Sequence, residues 1–177
     1  MKLNDLLKLG GVLMVVAALS ATLLGFSNSY TDPIIQERRM EQLENSMFEF
    51  FPEAEEFIID EIDEQEYYVV KTEGEVSGVA TVVDPGGYGG RIEMMVAADA
   101  EGTVSGVDIL SHAETPGLGS EIEEPEWLQQ FIGLSASQDI MGEEKVDIIS
   151  GATVSSEAVI EGVELALDNI VEDYLGN

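Results

Sequence analysis

Cysteine is absent from this chain, and histidine occurs once. The first absence excludes disulfides, thiolate zinc sites, cysteine nucleophiles and iron–sulfur ligation by this chain alone. The second removes any histidine-rich metal site. Cations are almost as scarce, with 7 Lys plus Arg against 36 Asp plus Glu and a formal net charge of -29. Nucleic acid is bound by clustered Lys and Arg that release counterions from phosphates, so a nucleic-acid partner is excluded. Internal repeats and low-complexity tracts are missing as well. Apolar residues are plentiful at 45%, too many for an acidic disordered tail. A chain of 177 residues has room for one domain with a sizeable core, plus an appendage.

The appendage lies at the front. From Leu9 to Thr31 run 23 residues without a charge, and about 20 helical residues cross a hydrocarbon layer of ~30 Å. Residues 1–31 therefore read as a cytoplasmic N-terminus and a single transmembrane anchor. Lys2 and Lys8 precede the apolar run and Asp32 follows it. That bias places the N-terminus in the cytoplasm and the rest of the chain outside it, at the cell membrane. A cleaved signal peptide ending at Ala18-Leu19-Ser20 is the alternative, although the apolar run continues past that point to Phe26. Without cysteine there is no lipid anchor at this site. So acidic an outer part repels itself at low salt, which points weakly to a saline environment.

Asp32-Pro33 is expected to end the membrane segment and to start a helical connector over residues 32–52. There Ile34, Ile35, Met40, Leu43, Met47 and Phe50 recur at helical spacing. Residues 53–177 then form the folded domain. Phe57 to Ile62, Tyr67 to Thr72, Val76 to Val83, Ile92 to Ala98 and Val104 to Ser111 are β-branched or aromatic runs, broken by turn residues near Glu73-Gly74 and Glu101-Gly102. A short helix around Trp127 to Ile132 follows, and Val146 to Ile149 reads as a further strand. An amphipathic helix from Val154 to Tyr174 closes the chain. Strands followed by a helix, with no βαβ alternation, make an α+β fold: an antiparallel sheet packed with helices, preceded by one N-terminal transmembrane helix.

The densest cluster of small polar residues is Asp147-Ile148-Ile149-Ser150-Gly151-Ala152-Thr153, where the strand-like run becomes the last helix. Ser150 or Thr153 would serve as a helix cap, which accounts for one hydroxyl. Ser150, Thr153, Ser155 and Ser156 around Gly151 and Ala152 are more than a cap needs. A helix start rich in small residues and free N–H groups suits an anion, with ~0.3–1 kcal/mol per charge from the dipole. In a chain so poor in cations, backbone N–H groups would have to hold a phosphate.

This segment resembles the flavinylation motif Asp-x-x-Ser/Thr-Gly-Ala-Thr of the RnfG/NqrC family, FMN-carrying subunits of ion-pumping membrane oxidoreductases. Gly87-Tyr88-Gly89-Gly90, His112-Ala113-Glu114-Thr115-Pro116-Gly117-Leu118-Gly119 and Trp127 with Phe131-Ile132-Gly133 resemble the same FMN-binding domain, in family order. The short chain with one anchor is more similar to RnfG. The resemblance implies that Thr153 carries FMN through a phosphoester, with Asp147, Ser150, Gly151 and Ala152 in the recognised motif. It implies that a separate flavin transferase of the ApbE type installs the FMN, with FAD as donor.

A flavin ring needs flat apolar contact, close backbone approach and a few polar groups. Pro116 and Gly117 suit the centre of a type II turn. Leu118 can pack on a ring face, Gly119 closes the loop, Glu114 and Thr115 can face the polar edge, and Tyr88 can cover the site. His112 reads either as a proton donor or as a satisfied histidine at a strand end. Trp127 reads as packing, and the Glu53, Glu55, Glu56 and Asp60 to Glu66 clusters as solvated surface. The resemblance implies an electron-transfer subunit of an Rnf-like complex that couples electron flow to Na⁺ or H⁺ transport. As part of a translocase it would have no independent substrate chemistry. A free-standing flavoprotein of the same fold and a non-redox acidic module remain the alternatives.

Overall fold

A computed structural model describes residues 3–54, 57–72, 74–135 and 146–175. Contacts divide the chain into two compact units, Met1–Glu41 and Gln42–Asn177. The first helix, α1, spans Leu3–Phe50 and contributes its last turns to the second unit. It is the one helix among the described residues long and apolar enough to cross a membrane. Val12, Leu13, Leu19, Leu23, Leu24 and Phe26 on it are all exposed.

The expected break at Asp32-Pro33 does not occur, because α1 runs straight through Pro33. Proline removes one helical N–H and costs ~3 kcal/mol in a helix interior. Strong helix formers in the stretch Gln36-Glu37-Arg38-Arg39-Met40-Glu41 carry the helix onward. Hydroxyls of Thr22, Ser29 and Thr31 turn back onto carbonyls four residues earlier, at 2.8, 3.0 and 2.8 Å. The helix stops before Phe51-Pro52, since a residue preceding proline is driven out of the helical region.

Five strands follow: β1 Phe57–Ile62, β2 Gln65–Thr72, β3 Glu75–Val83, β4 Glu93–Asp99 and β5 Val104–Ser111. They form one antiparallel sheet in sequence order. Chain order equals sheet order because β1–β2, β2–β3 and β4–β5 are joined by short turns and β3–β4 by the nine-residue loop 84–92, each returning the chain to the neighbouring position. Asp99 holds the β4–β5 turn by accepting the N–H groups of Glu101 and Thr103 on its carboxylate, at 3.0 and 2.9 Å. Gly74 lies in the β2–β3 turn with φ +90°, while its expected partner Glu73 is outside the described residues. The β1–β2 turn places two acidic residues, Asp63 and Glu64, at φ 50° and 69°.

Both faces of the sheet are covered. Met94, Val96 and Ala98 of β4 face a core that includes Val159, Val163, Ala166, Leu167 and Ile170. Their neighbours Met95 and Ala97 face Leu43 and Met47 of α1. A strand buried on both sides reads as continuous apolar sequence, which is why Glu93–Asp99 shows no alternation. Phe50 and Phe51 sit so close to the sheet that a Cβ on Gly106 or Gly78 would lie 2.0 or 2.2 Å from their rings.

The last helix, α3, spans Thr153–Ile170 and continues as a π-helical turn, Val171–Leu175. Tyr67 donates its hydroxyl to Asp173, and Tyr174 donates to Asp60 at 2.7 Å, tying this end to β1 and β2. Between β5 and α3 the chain forms a 3-10 turn at Gly119–Glu123, the short helix α2 at Pro125–Leu128 and a second 3-10 turn at Gln129–Phe131. Val146 to Ile149 is not a strand. The backbone groups of Asp147 are taken instead by side chains, Trp127 Nε1 donating to its carbonyl at 2.7 Å and its N–H donating to Gln130 Oε1 at 3.0 Å.

Candidate functional site

A cavity of about 450 Å³ opens beside the first turn of α3. Its wall is made by Tyr88, Glu114, Thr115, Leu118, Gly119 and residues 151–155. Three segments distant in sequence meet here: the glycine loop after β3, the turn after β5, and the start of α3.

The turn after β5 has the expected geometry. Leu118 N–H donates to the Thr115 carbonyl at 3.2 Å, with Pro116 and Gly117 between them and Gly117 at φ +72°. A positive φ at the third position is the type II requirement. Pro116 and Gly117 thus shape the turn from outside the cavity, while Leu118 lines it and packs over Gly151.

The start of α3 is a second tight turn. Ala152 N–H donates to the Ile149 carbonyl at 3.0 Å, and Gly151 takes φ +87°. The anticipated hydroxyl cap is not there. The residue at the cap position is Ala152, and no side chain caps the helix. Ser156 serves the turn from inside, accepting Ile149 N–H at 3.1 Å and donating to the Ala152 carbonyl at 3.0 Å. Thr153 is thereby left exposed on the cavity wall, at the positive end of an uncapped helix.

Glu114 joins the three segments. Its side chain is buried, with Oε1 accepting Gly89 N–H at 2.9 Å and Oε2 accepting the Ser155 hydroxyl at 2.6 Å. The surrounding glycines make the room: a Cβ on Gly87 would lie 2.4 Å from Oε1, and one on Gly119 would lie 2.9 Å from Oε2. His112 Nδ1 accepts Glu114 N–H at 3.1 Å, which leaves its ring proton on Nε2, 3.3 Å from Glu123. His112 does not line the cavity; it is a satisfied histidine that supports Glu114. Trp127 is buried edge-to-face on Phe131 at 5.3 Å and is likewise packing.

A family model described as the FMN-binding domain matches residues 87–168. The G subunit of the Na(+)-translocating ferredoxin:NAD(+) oxidoreductase complex of Acetobacterium woodii is 30% identical, over 90% of this chain and 89% of its own. The G subunit of the ion-translocating oxidoreductase complex of Methanosarcina acetivorans is 29% identical over 94% of this chain and 95% of its own. That of Stutzerimonas stutzeri is 32% identical over 87% and 76%. The chain belongs to the RnfG family of complex G subunits. The C subunit of the Na(+)-translocating NADH-quinone reductase of Parabacteroides distasonis has a similar fold, with TM-score 0.50 and 25% identity over 61% of each chain. NqrC of Shewanella oneidensis shares the fold at TM-score 0.51 and 22% identity, over 66% of this chain and 64% of that one. Each likeness to these solved chains spans less than two thirds of the solved chain.

The residues present suit the FMN that this RnfG family domain is named for. The cavity is within the ~300–1,000 Å³ range of cofactor sites. Leu118, Val154 and Tyr88 supply apolar surface, and the uncapped helix start supplies N–H donors. Of the residues singled out from sequence, Thr153, Gly151, Ala152, Glu114, Thr115, Leu118, Gly119 and Tyr88 all meet at the cavity. Asp147, Ser150, Pro116 and Gly117 do not line it; Asp147 and Ser150 are exposed on the approach to the helix. Ser155, one of the hydroxyls in the anion-suited cluster, lines it too, and Val154 lines it unforeseen. The signal for Val154 was position alone, since the residue next to Thr153 shares its helical turn. The acidic runs stay outside: Glu53 and residues 60, 61, 63, 64 and 66 are exposed, whereas Glu55 and Glu56 are outside the described residues. Among the described residues no group of three potential metal ligands occurs.

Proposed function

We propose that Thr153 carries FMN through a phosphoester, and that the chain passes electrons between other subunits of an Rnf-like membrane complex coupled to Na⁺ or H⁺ translocation. The observation that carries the proposal is the exposed Thr153 on a cavity wall, at a helix start that no side chain caps. In attachment by an ApbE-type flavin transferase, the Thr153 oxygen displaces AMP from FAD at the flavin-side phosphorus, and its proton goes to a base of the transferase. The diester keeps about one negative charge, which a helix N-terminus favours by ~0.3–1 kcal/mol. Once bound, the flavin supplies one- and two-electron chemistry. Leu118 and Val154 offer it apolar contact, Tyr88 shields its open side, and the Thr115–Leu118 turn holds Leu118 in place. Membership of a family of complex G subunits supports the partner subunits. The lysine bias at the N-terminus supports a single-pass anchor, with the cavity on the extracytoplasmic side. Covalent attachment keeps the cofactor where a dissociated flavin would be lost.

The test is the intact mass of the chain after co-production with a flavin transferase, followed by peptide mapping. An FMN adduct on the peptide holding Thr153 is expected, and Thr153→Ala abolishes it. Because Thr153 is exposed and makes no capping bond, the variant keeps its fold, within ~0.5 kcal/mol of the parent. Flavin that survives denaturation in Thr153→Ala would place the attachment elsewhere.

A further inference from the structure

Glu114 is 5% exposed, and both of its carboxylate oxygens act as acceptors, from an N–H on one side and an O–H on the other. Both contacts suit a carboxylate, whose two oxygens accept an N–H and an O–H. Among the described residues it has no counter-ion: Arg91 is paired with Asp84 at 2.7 Å, and His112 meets Glu123. The charge is also built in. Gly87 and Gly119 leave a pocket for the carboxylate that any larger residue would fill. Its side chain forms part of the wall of the cavity that Thr153 also lines.

From this we infer that Glu114 sets the reduction potential of a flavin held in this cavity, keeping it low with a fixed negative charge. The inference rests on the flavin reading above. Each electron added to a flavin ring brings negative charge unless a proton follows. Beside a buried carboxylate that charge is repelled, and the repulsion is strong because the medium between them is poorly screening. Glu114 also positions the site, by holding the Tyr88 loop at Gly89 and the first turn of α3 at Ser155. The two roles can be separated. In Glu114→Gln the amide oxygen still accepts Gly89 N–H, while the amide N–H₂ donates to Ser155 Oγ, whose own proton rotates away. The contacts remain and the charge is gone.

The experiment uses the full chain, co-produced with a flavin transferase, purified in detergent and titrated spectroelectrochemically at fixed pH and ionic strength. Glu114→Gln is expected to retain covalent flavin at the parent's level and to shift the midpoint potential upward. An unchanged or lowered potential overturns the inference. If Glu114→Gln does not accumulate, Ser155→Ala decides the matter alone. Loss of a hydroxyl dipole directed at Oε2 leaves the carboxylate less compensated, so the potential falls; an unchanged or raised value overturns the inference. Parent protein without flavin on Thr153 overturns the attachment reading together with this one. Flavin on every chain at one common potential overturns this one only.

Discussion

Gly89 shows how little freedom a single position in the cavity wall has. A Cβ there would lie 2.1 Å from the Ala113 carbonyl oxygen, a backbone atom with nowhere to move. Gly89→Ala is expected to lose ~1–3 kcal/mol of stability through overpacking and to weaken the Gly89–Glu114 bond. Thermal unfolding of the parent and the variant in the same detergent checks it; equal midpoints would mean that the loop gives way freely. The pair of tyrosines at the far end of α3 makes a pH prediction. Burial first, then the hydrogen bond and charge of Asp173, raise the Tyr67 pKa; burial, then Asp60, does the same for Tyr174. A group whose pKa is raised by folding contributes stability that is whole below its unfolded value, near 10 for tyrosine. That contribution is lost as pH rises past this value, because the unfolded chain then holds fewer protons than the folded one. Unfolding midpoints should therefore fall above about pH 10, and less steeply in Tyr67→Phe. Parallel curves for the two proteins would remove Tyr67 from this account.

Among the elements, α1 changes its partner along its length. Its apolar first part is exposed, while Leu43 and Met47 near its end are 1% exposed against the sheet. Those last turns cover Tyr68, Val70, Ala80, Met95 and Ala97. A fragment starting at Gln42 should be soluble and cooperatively folded. One starting at Glu53 leaves that apolar face bare, and large patches of this kind drive association. Size-exclusion chromatography and unfolding of the two fragments separate the cases; a monomeric, stable 53–177 fragment would show that the sheet does not need this cover. All five strands were legible from β-branched runs and turn residues, because short connections between neighbours leave few alternatives. The β1–β2 turn was not, since Asp63 and Glu64 have side chains at positions usually given to Gly or Asn. Val146 to Ile149 misled in the opposite direction. Its composition suits a strand, but Trp127 and Gln130 reach its backbone before any strand does.

At the scale of the whole molecule, charge dominates. A net charge of -29 on 177 residues destabilises a compact state through self-repulsion that salt screens. Raising ionic strength from ~0.01 to ~1 M shortens the Debye length from ~30 to ~3 Å. The melting temperature of the 42–177 fragment should climb across that range; a flat or falling curve would show that the acidic surface is already spread widely enough.

Composition and pattern alone determined the class of this protein: an apolar first segment, a five-strand antiparallel sheet, a closing amphipathic helix and a threonine at that helix's start. Each of these rests on local spacing, because period, turn chemistry and apolar run length are read from neighbours in the chain. The tertiary structure decided what lies far apart in sequence and close in space. Residues 88, 114 and 153 share one cavity wall, α1 covers the second face of the sheet, and a buried carboxylate binds the glycine loop to α3. These depend on how the chain closes on itself, and no local pattern records which carboxylate, of 36 acidic residues, ends up enclosed.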